Sequence, residues 1–137
     1  MKYMEMAVSA AIKGMEKGNV PVGCVIVKAG EVLSVSNNEK NSSNISVYHA
    51  EILGIISACK KLNQWYLDDC DMYVTLKPCA MCLAAIAESR IKNVYYLLDS
   101  NYEVNMNKNI SNIKFIKVKD TSNYGLVISD FFENLRK

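Results

Sequence analysis

Cys79 and Cys82 stand at i and i+3 in the run Lys77-Pro78-Cys79-Ala80-Met81-Cys82, and the single histidine of the 137-residue chain, His49, lies two positions ahead of Glu51. Residues three apart share a helix face, and a proline just before the pair marks a helix start. Both sulfurs are therefore expected near a helix N-terminus, where unpaired N–H groups and the helix dipole favour thiolate over thiol. A C-x-x-C pair by itself fits a structural zinc corner, a thiol redox pair or chance. An imidazole joined to two thiolates narrows the choice, because three protein ligands is the number that a catalytic zinc keeps. A structural zinc would want a fourth, and Cys24, Cys59 and Cys70 are the remaining candidates. Cys59 falls well along a predicted helix, Cys70 ahead of a strand and Cys24 inside one, so none is an obvious fourth ligand.

Glu51 supplies what water at an open metal position needs, a carboxylate to take its proton. Positions i and i+2 are about 200° apart on a regular helix, so His49 and Glu51 converge only if the histidine lies at the irregular helix entry. An open zinc site beside a carboxylate suits hydrolytic removal of an amine from an amidine-like carbon, with one carboxyl carrying protons to the ring nitrogen and to the departing amine. Without a metal, Glu51 is an ordinary first-turn glutamate and His49 a core or surface histidine.

The elements that must position these groups follow from periodicity. Met4, Ala7, Val8, Ala11, Ile12 and Met15 recur at helical spacing ahead of Gly18 and predict a helix over 2–17. Two β-branched runs, Val22 to Lys28 and Glu31 to Ser36, flank an Ala29-Gly30 turn and predict a hairpin. A polar stretch from Asn37 to Ser46 reads as loop, "HAEILGIISACKKL" as a helix, "DMYVTL" as a strand, "CAMCLAAIAESR" as a helix and "NVYYLL" as a strand. Strand, helix, strand at this length predicts a parallel βαβ unit, which would bring the two helix starts to the crevice outside the strand ends. An Asn-rich loop from Ser100 to Asn112, a strand "IKFIKV" and a helix from about Leu126 to Arg136 complete the chain. The expectation is one domain over residues 1–137, an α/β layered fold with a mixed sheet of about five strands and helices on both faces.

Composition sets the outer bounds. Half of the residues are hydrophobic, ample for a core, and 16 Lys+Arg against 14 Asp+Glu give a net charge of +2, so no DNA or membrane partner is expected from a strong field. No segment approaches the ~20 apolar residues of a membrane span. Five cysteines, an odd number without a secretory signal, argue for reduced thiols and a cytoplasmic protein.

His49-Ala50-Glu51 followed by Pro78-Cys79-Ala80-Met81-Cys82 is the H-x-E, P-C-x-x-C signature of the zinc-dependent nucleobase deaminases. The wider runs "VPVGCVIV", "YHAEILGI", "YVTLKPCAMCLAAIAESRIKNVYY" and "SDFFENLRK" resemble the bacterial tRNA-specific adenosine deaminases of the cytidine/deoxycytidylate deaminase superfamily, from the first helix to about Asp99 and again in the last helix. The resemblance implies the three-layer cytidine deaminase-like fold, a Zn2+ ion held by His49, Cys79 and Cys82, and Glu51 as proton shuttle. It implies conversion of wobble adenosine to inosine in a tRNA anticodon stem-loop by a homodimer. It also implies that Asn38 hydrogen-bonds the base, that Val22 and Pro78 lie against it, and that Phe131 and Phe132 lie near the anticodon loop. Read locally, Asn38 is a turn residue and the two phenylalanines are core of an amphipathic helix.

The chain departs from the family in carrying Ile45-Ser46-Val47-Tyr48 where Asp-Pro-Thr-Ala is usual, Lys77 where glutamate is usual, a shorter Asn-rich 100–112 segment, and Glu133 and Asn134 in place of a more basic tail. The alternatives are a deaminase of a free nucleobase, nucleoside or nucleotide, a non-catalytic RNA-binding zinc subunit, and a thiol redox module. Retention of Glu51 argues against the non-catalytic subunit, which needs no proton shuttle.

Overall fold

The computed structural model describes residues 1–100, 110 and 112–135. The expected loop over 100–112 thus lies largely outside the described residues. Helix α1 (Lys2–Glu16) buries Met4, Ala7, Val8 and Ala11, the stripe that the sequence spacing predicts. Strands β1 (Gly23–Lys28) and β2 (Glu31–Asn37) pair antiparallel. Their turn places Ala29 at φ 49° and Gly30 at φ 81°, positive values at both central positions as a tight hairpin of this hand requires. Ala29 carries a Cβ in a conformation that suits asparagine or glycine. We expect Ala29→Asn to stabilise the chain by about 0.5–1 kcal/mol in urea unfolding.

Helix α2 (Lys40–Ser43) is a short turn of helix within the stretch read as loop. Its cause is a contact far along the chain. Asn19, fully buried, accepts the Asn41 and Ser42 amides at Oδ1 (3.1 and 3.0 Å), while its Nδ2 donates to the Gly14 carbonyl (3.1 Å) and to Ser42 Oγ (3.0 Å). Asn19→Ala would leave these groups without their partner, and we expect it to cost about 2–3 kcal/mol, read as a lower urea midpoint at unchanged m-value.

Helix α3 (Ala50–Leu62), strand β3 (Cys70–Leu76), helix α4 (Ala80–Glu88), strand β4 (Asn93–Leu98), strand β5 (Lys114–Lys117) and helix α5 (Tyr124–Leu135) follow in order. The five-stranded sheet has the order β2-β1-β3-β4-β5. β1 is antiparallel to both neighbours, and β3, β4 and β5 run parallel, with α4 as the expected crossover between β3 and β4. Helix α5 starts two residues ahead of the expected Leu126. Asp120 accepts the amides of Ser122, Tyr124 and Gly125, and Asn123 turns at φ 60°.

Alternation along β1 assigns the two faces of the sheet. Cys24 and Ile26 pack with Ala50, Ala58, Met72, Val74, Ile86 and Val94 under α3 and α4. Val25 and Val27 pack with Met4, Ala7, Val8, Leu97 and Tyr124 under α1 and α5. The result is the layered α/β arrangement with helices on both faces. Gly23 has no space for a side chain, since a Cβ there would overlap the Ala7 carbonyl oxygen, and this close approach seats α1 on β1.

Candidate metal centre and substrate cavity

His49 is the N-cap of α3, in extended backbone (φ −73°, ψ 154°), and Cys79 is the N-cap of α4 (φ −74°, ψ 174°). Neither makes a side-chain capping hydrogen bond, an interaction worth typically ~1 kcal/mol where Ser or Asp supplies it. Both cap positions hold soft metal-type ligands instead. Because His49 sits outside helical backbone, the wide angle between i and i+2 does not apply to it, and its ring and the Glu51 carboxyl line one cavity.

His49 Nδ1 lies 3.7 Å from Cys79 Sγ and 3.6 Å from Cys82 Sγ, and the three ligand atoms are within 4.8 Å of one another. A tetrahedral zinc with bonds of about 2.05 Å to nitrogen and about 2.3 Å to sulfur requires a nitrogen-to-sulfur separation of about 3.6 Å. The donor set and its spacing thus suit zinc. No fourth His, Cys, Asp or Glu joins this group among the described residues. Cys24 is buried in β1, Cys70 is buried at the start of β3, and Cys59 faces the Trp65 carbonyl at 3.6 Å.

Electrostatics distinguish the three acids of the site. The Cys79 thiol is held down to about 5, first by a hydrogen bond from Cys82, against the cost of burial, with help from the Cys82 amide, His49 and the Met81 amide. Cys82 is pushed far up, because it is the member of the pair that keeps the shared proton and because it is buried. Glu51, 4 % exposed, is raised to about 7, chiefly by burial; its own amide opposes the shift, Cys79 adds to it, and Cys82 opposes it in turn. A carboxyl near 7 is poised both to accept and to return a proton at neutral pH.

The surrounding structure fixes this turn of helix. Ser36 Oγ donates to the Ala50 carbonyl (2.7 Å), pinning the residue between His49 and Glu51 to β2. Gly54 admits the close approach, since a Cβ there would lie 3.0 Å from Ser36 Oγ. Tyr124 is fully buried, and its hydroxyl donates to the Pro21 carbonyl at 2.5 Å, tying α5 to the segment that enters β1.

The cavity over the cluster has a volume of about 240 Å³ and is lined by Val20, Val22, Asn38, His49, Ala50, Glu51, Leu76, Lys77, Cys79 and Phe132. That is below the ~300–1,000 Å³ typical of drug-sized ligands, so it suits one planar heterocycle. A larger depression of about 470 Å³ lies at Trp65, Arg90 and Asn112 and contains none of these groups. Of the substrate-contacting residues expected from sequence, Val22, Asn38 and Phe132 line the cavity. Pro78 is buried just before the α4 cap, and Phe131 stands outside the lining, edge-to-face with Phe132 (5.5 Å, 78°). Asn38 Oδ1 accepts the Lys40 amide (2.9 Å), and its N–H donates to the Val22 carbonyl (3.0 Å). The turn role is therefore real, and Nδ2 is the donor left for a ligand.

Sequence reasoning gave no role to Ser36, Asn19, Tyr124 or, beyond its departure from the family, Lys77. Only Lys77 had a local signal, its place immediately before Pro78.

Residues 1–98 match the family described as the cytidine and deoxycytidylate deaminase zinc-binding region. The chain is 44% identical over 94 residues to a tRNA-specific adenosine deaminase of Aquifex aeolicus (strain VF5), covering 69% of this chain and 62% of that one. It is 43% identical over 94 residues to a tRNA-specific adenosine deaminase of Bacillus subtilis (strain 168), covering 69% and 58%. The alignments thus span less than two thirds of the length of these relatives. A solved structure from work on A-to-I editing by tRNA:A34 deaminases at the wobble position of transfer RNA superposes with a TM-score of 0.71 at 41% identity, over 72% of this chain and 76% of that one. A guanine deaminase from Bacillus subtilis superposes with a TM-score of 0.70 at 28% identity, over 97% and 92%. With the zinc-binding family matched across β1 to β4 and a His-Cys-Cys cluster of zinc spacing at its centre, the chain belongs to the cytidine and deoxycytidylate deaminase family.

Proposed function

We propose that the chain hydrolytically deaminates adenosine to inosine at the wobble position of a tRNA anticodon loop, with His49, Cys79 and Cys82 holding Zn2+ and Glu51 moving the protons. The observation that carries this reading is the buried Glu51 beside three ligand atoms at zinc spacing, on the floor of a cavity sized for one base. Zinc held by these residues would lower the pKa of the attacking water toward neutral pH. Glu51 would accept one proton of the attacking water and pass it to the ring nitrogen as the C–O bond forms, then take the remaining hydroxyl proton and give it to the amine, which leaves as ammonia as the C–N bond breaks. Asn38 orients the base from Nδ2, Val22 packs on its face, and Phe132, 43 % exposed, closes the mouth, with Phe131 supporting it and Pro78 setting the α4 entry.

The named relatives support tRNA as the substrate, because an anticodon loop presents bases already free to splay into a pocket. The enzyme works as a cytoplasmic homodimer built from one domain per chain. No helix among the described residues is long and apolar enough to cross a membrane. Ile45, Val47 and Ile56, exposed on α3 and just before it, offer apolar surface to a second chain. A second reading, deamination of free guanine, is favoured by the near-complete coverage of the guanine deaminase.

Zinc content measured alongside mass spectrometry of a wobble-A stem-loop tests the proposal. Inosine in the zinc-loaded reaction supports it. No inosine with zinc present overturns it, and xanthine from guanine in the same preparation selects the second reading.

A further inference from the structure

We propose that Lys77 is a substrate-binding residue for the phosphate attached to the nucleoside whose base enters the cavity. The inference rests on the nucleoside-deaminase reading above and adds a recognition element to it. Lys77 lies just past the end of β3, where its amide still donates to the Leu98 carbonyl at 2.9 Å, so its backbone is an extension of the sheet. Lys77 is one of the residues that line the cavity, and its ammonium rests beside it, 5.4 Å from the Phe115 ring centroid and 5.5 Å from that of Tyr96.

Three observations make this cation a ligand for an anion rather than a structural ion pair. None of the ion pairs among the described residues involves it. Asp99, the acid among the described residues that feels its charge, is taken by Lys117 at 2.6 Å. And among the described residues it is the one lysine or arginine lining the cavity, which also holds the Glu51 carboxyl and the Cys79 thiol. Contacts to two ring faces hold the ammonium without neutralising it, and the four-carbon stem lets it turn to a phosphate at the mouth. A base alone offers that ammonium only neutral ring acceptors; a nucleotide, or a base within a strand, also offers a charged phosphate.

The test compares wild type with Lys77→Met, which keeps the stem and removes the charge, using the full zinc-loaded chain. Binding of a fluorescent anticodon stem-loop is measured by anisotropy between about 50 and 200 mM salt. We expect Lys77→Met to weaken binding about 10-fold at the low-salt end and to shrink the slope of log K against log salt by about 0.7, the loss of one single-strand phosphate contact. Calorimetry with adenosine and adenosine 5′-monophosphate separates a mononucleotide phosphate from a strand phosphate. If Lys77 meets the nucleotide's own phosphate, wild type prefers the monophosphate and Lys77→Met does not. Unchanged stem-loop affinity and salt slope together with an unchanged monophosphate preference overturn the inference. Wild-type chain that binds the monophosphate through Lys77 but not the stem-loop counts against the tRNA reading while supporting this one. Wild-type chain that binds neither overturns both.

Discussion

Glu51→Gln lowers kcat for the wobble-A stem-loop by about 10²–10⁴-fold, the range expected for removing a general acid–base group. Zinc content and stem-loop affinity stay at wild-type values. The amide keeps the size and burial of the glutamate but can neither accept a proton from water nor return one. The ligand atoms come from His49, Cys79 and Cys82, not from residue 51. Rapid-quench turnover with metal analysis on the same sample checks this. Turnover within about 3-fold of wild type would remove Glu51 from the proton path.

The same substitution has a signature in stability that needs no substrate. In the zinc-free chain Glu51 titrates near 7 rather than 4.5, mainly because it is buried. Between those values the folded state binds more protons than the unfolded state, so the contribution of Glu51 to stability falls as pH rises from about 4.5 to 7. The full excursion is about 3 kcal/mol at the conversion of one pKa unit to ~1.4 kcal/mol. Cys79, held down to about 5, acts in the opposite direction as pH rises above that value. The quantity to read is therefore the difference between Glu51→Gln and wild type, which should move in favour of the variant across the window. A difference that does not vary with pH would show that burial does not raise the Glu51 carboxyl.

His49→Ala has the second large effect, the loss of zinc. Structural zinc binding is worth roughly 10–16 kcal/mol in peptides that fold around it, so one of three protein ligands carries roughly 3–5 kcal/mol, on the order of 10³-fold in affinity. Titration against a competing chelator should show this, and activity should fall with occupancy. Cys82→Ala should behave alike. Asn38→Ala, a change in the same cavity, should leave zinc affinity within about 3-fold, which separates damage to the metal centre from damage to the pocket. Wild-type zinc affinity in His49→Ala would remove the imidazole from the ligand set.

Most of what positions this site is written locally. The Met4 to Ala11 stripe, the β-branched runs of the hairpin, and the Pro78-Cys79 and Tyr48-His49 helix entries are patterns of neighbours, and the structure follows them within a residue or two. The types of the metal-binding side chains are equally legible, since one imidazole and a thiol pair at helix starts have few chemical uses. What the sequence does not contain is distance. His49 and the thiols are 30 and 33 positions apart; they meet because α3 and α4 pack on one face of the sheet, a consequence of pairing among non-adjacent strands. The helix at Lys40–Ser43 forms because Asn19 reaches it across 23 positions, and α5 is tied to Pro21 by Tyr124 across 103. Phe131 and Phe132 are indistinguishable by type; only the seating of α5 on the α1 face sends the second to the cavity. Lys77 shows the same division: its charge is plain in the sequence, but that no acid among the described residues pairs with it depends on Asp99 having paired with Lys117 and on two rings from β4 and β5 lying beneath it. Side-chain chemistry and helix entry are short-range properties and can be read along the chain, whereas which groups share a cavity is set by the long-range burial that assembles the sheet.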